Sequence, residues 1–179
     1  AITLLLFEIP FGSDAQPIQL DSVTVTGQNN FFTLKGNTTT TGMYDIMVDR
    51  GGPMIPLVND EPEITVNLDF SNKEKFYSVN GSAASKQLQD FIYSYSDYSN
   101  VINKELTTID SLKKLEAPDS LLIIATNEKN KAIDGLNNFL KKYLPSIKQG
   151  TVASFALGRS AQTLTTVDFE MEMNKLLQK

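Results

Sequence analysis

The chain has no cysteine and no histidine among its 179 residues. Without cysteine there is no disulfide, no thiolate nucleophile and no iron–sulfur or thiolate–zinc site. Without histidine it lacks the side chain that most often moves protons near neutral pH, and the commonest transition-metal ligand. Serine–histidine–aspartate, cysteine–histidine and HExxH chemistries are therefore excluded. What survives is carboxylate, lysine or tyrosine chemistry, or no chemistry at all. There is also no run of about 18 apolar residues to span a bilayer. The apolar start, ITLLLF, is short and has neither a basic flank nor a small-residue cleavage site, so it reads as a strand and not a signal peptide. A net charge of −5 argues against nucleic acid, which asks for a basic footprint.

The composition changes near position 82. Residues 1–82 hold 10 of the 21 acidic residues but only 4 of the 16 basic ones, and most of the glycine and proline. This predicts two regions, 1–81 and 82–179.

Before the change, apolar and polar residues alternate with a period of two. Val23 and Val25, Phe32 and Leu34, Tyr44, Ile46 and Val48, and Ile64, Val66 and Leu68 each form one apolar face. Turn residues follow each run: Gly27-Gln28-Asn29-Asn30, Gly36-Asn37, Gly51-Gly52-Pro53 and Asn59-Asp60-Glu61-Pro62. The pattern predicts an antiparallel β-sandwich of about seven strands, near 2–9, 18–26, 31–36, 43–49, 54–58, 63–69 and 75–79. After the change the period becomes 3.6. Ser82 is placed as the N-cap of a long helix whose stripe is Leu88, Phe91, Ile92, Tyr95, Ile102, Leu106, Ile109 and Leu112. A second helix starts at Pro118-Asp119-Ser120 and stops at Pro145, and short helices follow near 147–158 and 166–178. The fold class is α+β: a sandwich, then a helical hairpin and two short helices.

Four groups of residues invite a functional reading. Asp21-Ser22 has no base to activate the serine, and reads as the cap of a turn entering a strand. Asp60-Glu61-Pro62-Glu63 is the densest acidic cluster. A glycosidase needs two carboxylates facing each other across a cleft, and Glu61 and Glu63 are candidates for one of them; a tight hairpin loop explains the same residues. Gly51-Gly52-Pro53 lacks the GxxxxGK[ST] pattern of a phosphate cradle. Tyr93, Tyr95 and Tyr98 could form a stacking platform for a sugar, with Tyr95 on the core stripe and Tyr93 and Tyr98 exposed; lone exposed tyrosines are common, and the structural reading is the favoured one. The candidate ligand contacts are therefore Tyr93, Tyr98, Glu61 and Glu63. No catalytic, cofactor-binding or metal-binding residue is assigned, and no cofactor is expected.

The run LDSVTVTGQNNFFTLKGN, followed by GMYDIMV, PLVNDEPEITVNLD and YSVNGSAASKQLQDF, resembles a known family over roughly residues 4–177. It is the domain of unknown function that precedes thioredoxin-like (AhpC/TSA or TlpA-type) modules in exported proteins of Gram-negative bacteria. FLKKYLPSIKQGTVASFAL resembles the linker that leads to the thioredoxin fold. The resemblance implies a periplasmic or cell-surface, lipid-anchored parent. In it this region is a non-catalytic accessory, used for binding, positioning or dimerisation beside a covalently linked or separate thioredoxin-like domain and its client protein. The Cys-x-x-Cys of that module is not in this chain, so no catalytic residue carries over. A free-standing glycan- or peptide-binding protein of the cell envelope is the alternative.

Overall fold

The structure is a computed structural model, and it describes residues 1–10, 16–27, 31–37, 40–161 and 163–177. The chain divides into two compact units, Ala1–Gln89 and Asp90–Lys179.

The first unit holds six strands among the described residues, all paired antiparallel: β1 (Ile2–Ile9), β2 (Ile18–Val25), β3 (Met43–Val48), β4 (Met54–Val58), β5 (Thr65–Leu68) and β6 (Tyr77–Asn80). They form a four-stranded sheet in the order β2-β1-β3-β4 and a two-stranded sheet of β5 and β6. Register follows the alternation read from the sequence. Leu6 lies opposite Ile46, which lies opposite Ile55, so one apolar row crosses three strands. All three side chains are buried. Central strand β1 also buries Leu5, on the opposite face, as its unbroken LLLF run requires. The β3–β4 turn depends on Gly52, where a Cβ would lie 1.7 Å from the Val48 carbonyl oxygen.

One expected strand is absent. Residues 31–37 carry no regular structure, and β2 pairs with β1 instead of with 31–36. The strand expected at 31–36 is therefore not formed, and Gln28, Asn29 and Asn30 of the turn expected before it lie outside the described residues. The alternation nevertheless reports a real face: Phe32 and Leu34 are half-buried, while Phe31, Thr33 and Lys35 are exposed. This segment is held by side-chain hydrogen bonding and packing, and it lacks a ladder of its own.

Helix α1 (Ala83–Lys114) begins at the end of the first unit. Ser82 is its N-cap, as expected: its hydroxyl accepts the Ser85 N–H at 2.8 Å. In the second unit, the rest of α1 is followed by α2 (Asp119–Tyr143), a 3₁₀ turn (Leu144–Ser146) containing Pro145, α3 (Gly150–Ser160) and α4 (Thr166–Leu177). Phe91 is fully buried amid Tyr95, Phe139, Tyr143 and Phe155, with ring centroids 5.4–6.2 Å away. Leu136, Leu140, Leu144 and Val152 complete this core. Leu106, placed on the buried stripe from sequence, is instead exposed. Among the described residues, no helix is long and apolar enough to cross a membrane.

Candidate functional site

The polar residues that drew attention in the first unit hold backbone. Asp21 lies within β2, beside the bulge between Leu6 and Phe7, and does not mark the strand's entry. Its carboxylate accepts the Lys35 N–H at 2.7 Å and the Ser22 N–H at 2.8 Å. The Lys35 bond, then the Ser22 bond, holds its pKa below the ordinary 3.8. Asp49 has φ 55°, a conformation that aspartate tolerates better than most residues. Its N–H donates to the Thr3 carbonyl and its carboxylate accepts the Thr3 N–H at 2.8 Å, so it continues the β1 ladder after the chain turns away. Asn59 accepts the Gly42 N–H and donates to the Thr40 carbonyl and the Tyr44 hydroxyl. Asp69 accepts from the Ser71 N–H and hydroxyl, the hydroxyl bond first in lowering its pKa.

The acidic loop divides into one structural acid and two exposed ones. Asp60 accepts the Ser82 hydroxyl and the Ala84 N–H, completing the cap of α1. Glu61 and Glu63 are exposed to solvent. The loop runs from β4 of the four-stranded sheet to β5 of the two-stranded one, beside a capped helix, so the expected tight hairpin is not formed, and the geometry is not that of two acids facing across a cleft. Among the described residues, no group of three or more acids is placed to hold a metal ion.

One carboxylate departs from this pattern. Asp45, on β3, faces away from the Ile46 row and lies opposite Phe7 and Pro56. Burial in this apolar setting pushes its pKa from 3.8 up to about 6. Its partners in the register, Phe7 and Pro56, carry no acid or base, so among the described residues the shift marks a desolvated carboxylate and not an acid–base pair.

In the second unit, Tyr98 lines a groove of about 410 Å³ together with Gly135, Asn138, Phe139, Lys142, Tyr143 and Ser146. Gly135 lies in the middle of α2, where glycine costs about 1 kcal/mol relative to alanine. The reason is a close approach: a Cβ there would sit 3.1 Å from Tyr98 Cε1. The Tyr98 ring also packs on Phe139, centroids 5.7 Å apart. Burial, and then the charge of Asp90, pushes the neighbouring Tyr143 hydroxyl up to about 12, so Tyr143 stays protonated and neutral at physiological pH. The rim is polar: Asn138 and Lys142 are exposed, and the Ser146 hydroxyl donates to the Tyr143 carbonyl at 2.6 Å. A second hollow of about 370 Å³ is lined by α2 residues alone, including the Glu128–Lys131 pair at 2.6 Å, and has no floor from another element.

Of the four candidate ligand contacts, the structure places Tyr98 in a groove. Tyr93 is half-buried and does not line it. The reason is helical geometry: five residues separate the two by about 140° around α1. Sequence reasoning missed Gly135, Asn138, Lys142 and Ser146. A glycine inside an otherwise helical pattern was the available signal.

No curated protein and no solved structure matches the chain. Residues 3–88 match the family model described as Domain of unknown function (DUF4369), and the match ends one residue short of the end of the first compact unit.

Proposed function

We propose that the chain is a non-catalytic accessory module, for binding or positioning, of an exported thioredoxin-like thiol–disulfide oxidoreductase held in the periplasm or at the cell surface. The observation that supports this reading most strongly is the employment of the first unit's polar residues. Asp21, Asp49, Asn59, Asp60 and Asp69 each spend their oxygens on backbone N–H groups or neighbouring hydroxyls, and the remaining acids of the acidic loop face solvent. Such residues build a scaffold. With no thiol and no imidazole anywhere in the chain, redox chemistry belongs to a partner module. The coding sequence beyond Lys179 tests the reading. It predicts a thioredoxin-like module carrying Cys-x-x-Cys, and a coding sequence that stops without one contradicts it.

The second reading is a free-standing glycan- or peptide-binding protein of the cell envelope. The groove between Tyr98 and α2 favours it, because an aromatic floor with a polar rim is the usual makeup of a small-ligand site. The first reading makes the chain an accessory for binding or positioning and the second a binding protein, and neither assigns it a reaction.

A further inference from the structure

We propose that the groove over Gly135 is a saccharide site, with a sugar ring stacked on Tyr98 and its hydroxyls shared among Asn138, Lys142 and Ser146. The inference rests on reading the chain as a binding module and names the ligand class.

The floor comes first. Gly135 lacks the Cβ that would crowd the Tyr98 ring, so the Cδ1–Cε1 edge of the ring comes close against α2 and the ring lines the groove. The Phe139 ring, which lines the same groove, packs on it with centroids 5.7 Å apart and planes tilted by 30°. An aromatic surface suits the C–H face of a pyranose.

The rim comes next. Asn138 offers both a donor and an acceptor, and Lys142 offers donors. Ser146 has committed its proton to the Tyr143 carbonyl and presents lone pairs. Donors and acceptors interleaved over a short distance match a ring of hydroxyls, each of which can do either.

Three other ligand classes fit less well. A purely apolar ligand would desolvate Asn138 and Lys142 without giving them partners. A polyanion would meet a single groove cation, at the C-terminal end of α2, where the helix carbonyls oppose negative charge. An extended peptide gains affinity by adding to an open strand edge, and the groove is walled by helices whose backbone is already bonded.

The test is a titration of the isotopically labelled full chain, followed by amide chemical shifts, with neutral gluco-, galacto-, manno- and xylo-oligosaccharides in turn and with a random peptide mixture. The expected result is saturable shifts at Tyr98, Gly135, Asn138 and Lys142 with at least one saccharide. Tyr98→Ala, with circular dichroism unchanged, weakens that binding at least about tenfold. Lys142→Gln, a surface change that leaves the fold intact, weakens it by a smaller factor. Absence of groove shifts with every saccharide at millimolar concentration overturns the proposal, as does saccharide binding that survives Tyr98→Ala undiminished. Shifts with peptide but with no saccharide also overturn it, while leaving the binding-module reading standing.

Discussion

Ser85 and Gln89 lie one turn apart on α1, and each completes the open edge of a different sheet. The Ser85 hydroxyl accepts the Val58 N–H and donates to the Val58 carbonyl, both at 2.9 Å, as a neighbouring strand would for β4. Gln89 donates its amide to the Tyr77 carbonyl at 2.6 Å and accepts the Val79 N–H at 3.4 Å, serving β6 in the same way. Both side chains are buried. An open edge exposes unpaired backbone groups to association with other chains, and here helix side chains close two such edges.

Removing either side chain strands buried backbone groups. Ser85→Ala leaves the Val58 N–H and carbonyl without partners, and we expect a loss of about 1–3 kcal/mol in urea unfolding. Hydrogen exchange at Val58 should accelerate, while exchange at Val79 should not. Gln89→Leu should give the converse pattern.

Asp45 makes stability depend on pH in the direction opposite to most acids. Its folded pKa of about 6 lies above the unfolded value of 3.8. Below 3.8 the carboxyl is neutral in both states. Between 3.8 and about 6 the unfolded chain releases the proton and the folded one keeps it, so stability falls as pH rises. Above 6 the full penalty applies, about 3 kcal/mol as an upper limit and less where water reaches the group. Asp45→Asn should therefore stabilise the protein by about 1–3 kcal/mol at pH 7 and by almost nothing below pH 4. Urea midpoints measured across that range check it.

Glu116 ends α1 at φ 49°, the position usually held by glycine. Its N–H donates to the Lys113 carbonyl and the Ala117 N–H to the Leu112 carbonyl, which completes a Schellman closure. Glu116→Gly relieves left-handed strain of about 1–2 kcal/mol, offset in part by the freer unfolded chain. We expect a net gain of about 0.5–1 kcal/mol in thermal unfolding followed by circular dichroism.

Much of this fold was legible in the sequence because its signals are local. The alternation in Tyr44, Ile46 and Val48, the Ser82 cap and the aromatic stripe of α1 are each set by residues within a few positions of one another. The failures involve distant partners. The segment 31–37 has the face of a strand, but its Lys35 N–H goes to the Asp21 carboxylate, 14 residues away, instead of to a ladder. Alternation reports which side chains are buried and is silent about where the backbone bonds go. Gly135 makes sense only once Tyr98, 37 positions earlier, is known to lie against it. Asp60 is read as one of a cluster of acids until Ser82 and Ala84 are seen to occupy its oxygens.

That division of the acidic loop is the centre of this account, since the scaffold reading of the first unit depends on it. The most direct test compares Asp60→Ala with the double variant Glu61→Gln/Glu63→Gln in urea unfolding. Asp60→Ala should cost about 1–2 kcal/mol through loss of the α1 cap, and the double variant should stay within about 0.5 kcal/mol of the parent. A silent Asp60→Ala, or a double variant that loses stability as Asp60→Ala is expected to, would contradict the account.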